Sequence, residues 1–175
     1  TTKTSFLPPS TPATVAIVSA DIRRDLILPL RGITQFRLVH AYRQASYGDL
    51  TPEDWDSSLV QYESPGDLYH LLERTRPNLI SNTEIFALRQ YPYVVAITFY
   101  AIRHSIPLVA GVHISLPLRQ KYGSLLALAL KLLLQPTLRA TRLFFYLNEG
   151  GRRNLRWLGV PENKMMRLMY GTWGI

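Results

Sequence analysis

The chain has 175 residues, of which 47% are hydrophobic and 18% charged: enough apolar material for one domain with a sizeable core, and too much for a disordered chain. It contains no cysteine, which excludes disulfide scaffolds and thiolate-built zinc or iron–sulfur sites and is compatible with a reducing compartment. The net charge of +8 is unevenly spread, since residues 1–102 hold nine basic and ten acidic side chains (net −1) and residues 103–175 hold eleven basic and two acidic (net +9).

Thr1 to Pro12 has one basic residue, three prolines and no apolar run, so it reads as a flexible arm and not as a signal peptide. From Ala13 to Ala20 a short, β-branched apolar stretch predicts a first strand buried on both faces of a parallel sheet. Asp25 to Leu30 predicts helical turns limited by Pro29, Phe36 to Tyr42 a second strand, and Tyr47 to Pro65 a long acidic loop. The alternation then becomes regular. Asp67 to Arg74 predicts a helix, Asn78 to Ser81 a strand, Pro92 to His104 an apolar helix and Pro107 to Val112 another buried strand. Leu116 to Leu134 predicts one long helix, apolar on nearly all sides, and Pro136 starts a second short one. Leu143 to Leu147 follows as a strand, Glu149 to Leu158 as a helix closed by Gly159, and Met165 to Met169 as a last strand. Strands and helices alternating at this spacing imply a doubly wound parallel sheet with helices on both faces, an α/β domain over residues 13–175.

Ligands of such sheets sit outside the carboxyl ends of the strands. That rule selects Asp21, Arg23 and Arg24 after the first strand, then Asn82, Thr83 and Glu84, His113 and Ser115, Asn148 and Glu149, and the stretch from Tyr170 to Trp173. Neither a Gly-x-Gly-x-x-Gly nor a P-loop sequence follows a strand, so the familiar phosphate cradles are missing. Arg23 and Arg24 can clamp a phosphate or carboxylate, or pair with Asp21 and Asp25. His113 ends a strand where an imidazole can hydrogen-bond a sugar hydroxyl or a phosphate, and serves equally well as a cap. Glu84 can accept from hydroxyls or complement the helix that follows. The four histidines are far apart and none has helical ligand spacing, so no metal is proposed. No Gly-x-Ser-x-Gly elbow exposes a nucleophile.

A strongly basic half attracts phosphates, acidic head groups or nucleic acid, and charge of this kind also keeps an apolar chain dissolved. Arg152, Arg153 and Arg156 beside Trp157 lack any nucleic-acid recognition motif, and that partner is set aside. The leucine run Leu125 to Leu134 with Lys131 could lie on an anionic membrane, but a helix apolar all round is normally buried between sheet and helices, and that reading is preferred. No stretch reaches the roughly 20 apolar residues that span a bilayer.

Arg76-Pro-Asn-Leu-Ile-Ser-Asn-Thr-Glu84, then Ile106-Pro107-Leu108-Val109 with His113 downstream, then Leu118-Arg-Gln-Lys-Tyr122, resemble the N-terminal half of retaining glycosyltransferases of family 4. Leu147-Asn-Glu-Gly-Gly-Arg-Arg-Asn-Leu-Arg-Trp-Leu-Gly-Val-Pro-Glu-Asn-Lys164 is similar to that family's strand end, helix, Gly-Val-Pro turn and lysine. Met169-Tyr-Gly-Thr-Trp-Gly-Ile175 resembles its entry into the interdomain linker. The resemblance implies a GT-B architecture, in which this Rossmann-like domain binds the acceptor and an absent C-terminal domain binds the nucleotide sugar. It implies a cytoplasmic hexosyltransferase fragment, inactive alone, with the nucleotide sugar as co-substrate, no cofactor, and a saccharide or lipid-linked acceptor. The resemblance supports His113 as catalytic candidate, and together with the strand ends the expected substrate contacts are Asp21, Arg23, Arg24, Glu84, Tyr122, Asn148, Gly171 and Trp173. Asp21-Ile-Arg-Arg replaces the glycine-rich turn that many members carry after the first strand. The alternative is a standalone Rossmann-like module that binds an anion or a partner and performs no chemistry.

Overall fold

The computed structural model describes residues 12–45 and 48–168. The expectations for Thr1 to Thr11, Tyr47, Met169 and Tyr170, and the site candidates Gly171 and Trp173, lie outside the described residues. Seven strands form one sheet in which every pairing is parallel: β1 (Thr14–Asp21), β2 (Arg37–Gln44), β3 (Leu59–Gln61), β4 (Leu79–Asn82), β5 (Leu108–Val112), β6 (Thr141–Tyr146) and β7 (Met165–Arg167). Their order is β3-β2-β1-β4-β5-β6-β7, so successive strands are added outward from β1 first on one side and then, from β4 on, on the other. The fold is Rossmann-like α/β, as the alternation in the sequence predicts.

The helices are α1 (Arg24–Arg31), α2 (Pro65–Thr75), α3 (Tyr91–Arg103), α4 (Leu118–Tyr122), α5 (Ser124–Leu133), α6 (Gln135–Ala140) and α7 (Glu149–Leu158). Right-handed crossovers put α1 on one face and the helices that follow β3 on the other. On the second face Ala16, Val18, Ile80 and Leu108 pack against α2 and α3. Ala110, Val112 and Phe144 pack there against α5, α6 and α7. On the first face Ile22 and Ile27 close over Tyr42. The expectation that β1 is buried on both faces, and β5 buried, is corrected: Val15 and Ile17 of β1 and Val109 of β5, on the face of α1, are half-buried, because α1 is only eight residues long.

Local chemistry sets the boundaries. Ser64 and Asp67 form a reciprocal capping box at the start of α2, with Pro65 in its first turn, and Asn148 caps α7. Gly159 ends α7 in the left-handed region at φ 91°. Two predicted elements differ. The acidic loop contains an edge strand, β3, too short to show a period; its pairing of His40 with Leu59 supplies the backbone bonds. The long helix from Leu116 to Leu134 is interrupted at Gly123, whose φ of 80° and ψ of 159° break it into α4 and α5. Nor is it buried all round: α5 buries Ala127 and Leu130, while Leu125 is 85% and Leu132 66% exposed. Among the described residues no helix is long and apolar enough to cross a membrane.

Candidate functional site

At the reversal point, where β1 and β4 separate beyond their carboxyl ends, the loops leave a cleft of about 260 Å³. Its walls include Asp21 and Arg23 from the end of β1, Ser81, Thr83 and Glu84 from β4, and His113 from β5. Four of the predicted site residues are therefore brought together: Asp21, Arg23, Glu84 and His113. A larger groove of about 320 Å³ lies over the middle of β2, between α1 and the segment before β3, away from the converging loops.

Each cleft residue is held by its neighbours. Asp21 Oδ2 accepts from Gln44 Nε2 at 3.0 Å, and Arg23 Nη2 pairs with Asp25 Oδ2 at 3.1 Å. Glu84 receives the backbone N–H of Phe86 on Oε1 at 2.9 Å and that of His113 on Oε2 at 3.3 Å. Both of its oxygens are engaged, so Glu84 ties the β4 loop to the end of β5 and fixes where His113 stands. Burial raises its carboxyl above the usual carboxylate range, and these backbone donors oppose the rise. The carbonyl of His113 receives Asn148 Nδ2 at 3.5 Å. Its imidazole is pushed below the usual histidine range by the cleft walls, which strip solvent, and then by the Arg23 guanidinium. At neutral pH it is an uncharged ring, able to donate from one nitrogen and accept at the other.

The other predicted residues serve elsewhere. Arg24 turns away: its Nε lies 3.3 Å from buried Asp54, which also draws Arg31 Nη1 at 3.6 Å. Arg24 N donates to Asp49 Oδ2 at 3.0 Å, so a carboxylate of the chain occupies the start of α1, where an anion would otherwise sit. Tyr122 donates its hydroxyl to the carbonyl of Phe86 at 2.9 Å and packs in the core beside α5. Asn148 Oδ1 accepts from Gly151 N at 2.9 Å as the cap of α7.

The strand-end rule found Thr83, and sequence reasoning missed the rest of the neutral lining, including Ser19, Ser81, Gly111 and Phe145. The period of two along each strand carried a signal, since Ser19 shares the face of Asp21 and Gly111 that of His113. Gly111 has a steric reason, because a Cβ there would come within 2.7 Å of the carbonyl oxygen of Thr83. Gly150 has a stronger one: its Cβ would fall 1.7 Å from the Ser115 carbonyl oxygen. Asn154 completes this clamp, accepting from Leu118 N at 3.0 Å and donating to Leu116 O at 2.9 Å. The Asn-Glu-Gly-Gly start of α7 thus presses the loop after His113 into place.

No family model matches the sequence, and no curated protein matches it. Solved structures do. An S. aureus MnaA–UDP co-structure superposes with a TM-score of 0.57 at 10% identity, over 87% of this chain and 44% of that one. A UDP-N-acetylglucosamine 2-epimerase from Rickettsia bellii gives 0.53 at 14% identity, over 90% and 44%. L-threonine dehydrogenase from Clostridium difficile gives 0.53 at 9% identity, over 78% and 53%. The chain spans about half the length of these proteins or less, and what it shares with them is the Rossmann-like fold.

Proposed function

We propose that this chain is the acceptor-binding half of a two-domain GT-B glycosyltransferase resembling family 4. A second α/β domain would bring a nucleotide sugar to the cleft. The observation that carries this reading is the cleft at the β1–β4 reversal: hydroxyl-bearing Ser81 and Thr83 and the carboxylates of Asp21 and Glu84 beside an uncharged His113, with one guanidinium, Arg23. Such a lining suits a polyhydroxylated ligand better than a diphosphate. The anion position at the start of α1 is filled by Asp49, which further favours the acceptor over the nucleotide here. Two of the structures sharing the fold, the MnaA–UDP co-structure and the UDP-N-acetylglucosamine 2-epimerase, have UDP in their descriptions, which supports a nucleotide-sugar setting for the whole protein.

In that setting the bond from the sugar to the donor diphosphate breaks, an acceptor hydroxyl attacks the same face of the sugar, the retaining course, and its proton leaves with the diphosphate. His113 hydrogen-bonds the sugars and helps to orient the reacting hydroxyl. Glu84 and Asn148 are positioning residues that hold its backbone from both sides. Arg23 offers charge to a phosphorylated acceptor or to the departing phosphate.

Saturation-transfer NMR of the purified chain against a panel of saccharides and sugar phosphates tests the reading. The expected result is saccharide binding that His113→Ala weakens about fivefold, the cost of roughly one neutral hydrogen bond, with no consumption of nucleotide sugar by the chain alone. Binding of inorganic phosphate or pyrophosphate with no saccharide binding would instead support the standalone anion-binding module.

A further inference from the structure

Helix α5 is amphipathic in the wrong sense for a surface helix. Its inner face buries Ala127 and Leu130, and its outer face carries Leu125, Leu128 and Leu132 at i, i+3 and i+7, exposed by 85%, 50% and 66%. Leu126 and Leu133 extend the same arc. The one cation of the helix, Lys131, is turned inward, donating to the carbonyl of Trp157 at 2.7 Å and lying 5.0 Å from its ring. The patch reaches the start of α3, whose Tyr91 hydroxyl donates to Leu133 O at 3.3 Å and whose Val95, one turn on, is exposed; beyond it Thr98 is buried against Thr137 of α6. Contiguous apolar surface of this kind marks an interaction site.

The charge carried by the helices of the patch, α3 to α6, has one sign. From Ile85 to Asn148 there is no Asp or Glu. Arg119 and Lys121 stand exposed on α4, just before α5; Arg139 is exposed on α6, just after it, and Arg103 and Arg142 stand further along, at the end of α3 and the start of β6. None of these five forms an ion pair with a described residue. A second copy of the chain would set these cations against themselves, and a neutral partner would leave them unanswered. We infer that the α3–α5 face rests on an anionic lipid surface, with the leucines of α5 entering the acyl boundary and the flanking cations meeting acidic head groups. At ten residues α5 lies in the plane of the surface. The face does not border the cleft, and the inference holds whatever the cleft binds.

Flotation with vesicles of phosphatidylcholine alone, and with about one third phosphatidylglycerol added, tests it on the purified chain. The expected result is recovery with the anionic vesicles only, lost at about 0.5 M salt, where the Debye length falls to roughly 4 Å. Leu125→Ser, Leu128→Ser and Leu132→Ser combined should cut recovery at least about tenfold while circular dichroism and melting stay those of the parent. Arg119→Glu with Lys121→Glu, which spares α5, should do the same. No recovery on either vesicle, or equal recovery on both, overturns the inference. So does a dimer in light scattering that the serine variant dissolves while the parent ignores vesicles.

Discussion

His40 sits in the middle of β2 at 2% exposure, with Nε2 sharing a hydrogen bond with Ser19 Oγ at 2.8 Å and Nδ1 buried without a partner. Burial lowers its pKa to about 4. The folded state therefore binds a proton less readily than the unfolded chain. Stability is full above the ordinary histidine range, near pH 6.5, and is lost progressively as pH falls toward 4. The shift corresponds to about 3 kcal/mol. Urea titrations between pH 4 and 7 should show this slope, and His40→Asn should flatten the difference between pH 4 and 6.5 while costing stability at pH 7. A parallel slope in the variant would refute the assignment to His40. His113, also lowered, contributes to both proteins alike and drops out of the comparison.

Among the elements, α7 governs the geometry of the cleft although no side chain of it lines the cleft. Its glycine at 150 allows the helix start to meet the Ser115 carbonyl, and any Cβ there must displace backbone. Gly150→Ala should destabilise the fold by about 2–4 kcal/mol, read from the denaturation midpoint, and move His113 enough to abolish saccharide binding. Unchanged stability would mean that α7 does not clamp the loop. Invariance of Gly150 among relatives would accordingly report packing and say nothing of chemistry. The sequence made most elements legible because periodicity and caps are local: the Ser64–Asp67 box, Gly159 and the β-branched strands each announce themselves. It hid β3, whose bonds come from β2, and the break at Gly123, because a single glycine in a leucine-rich run does not disclose its φ. At the site, strand ends pointed to Asp21, Arg23, Glu84 and His113, whereas the directions of Arg24 and Tyr122 depend on tertiary neighbours, Asp54 and Phe86, that no local pattern names; Asn148 acts as a local cap, bonded to Gly151.

For the whole molecule, strand order turns the uneven charge of the sequence into geometry. Residues 1–102, net −1, supply β3, β2, β1 and β4 on one side of the sheet; residues 103–175, net +9, supply β5, β6 and β7 on the other. A phosphorylated saccharide should therefore associate severalfold more slowly as salt rises from about 0.05 to 0.5 M, with a neutral saccharide nearly unaffected, measurable by stopped flow. Equal salt responses would place the basic surface outside the ligand's approach. The separation also gives the molecule a permanent electric dipole across its strands. In the field of a negatively charged body it experiences a torque before any contact forms, and the side built from β5 to β7, α5 included, arrives first. Orientation is thereby selected during diffusion, and an encounter with such a body begins with the leucines of α5 already turned toward it.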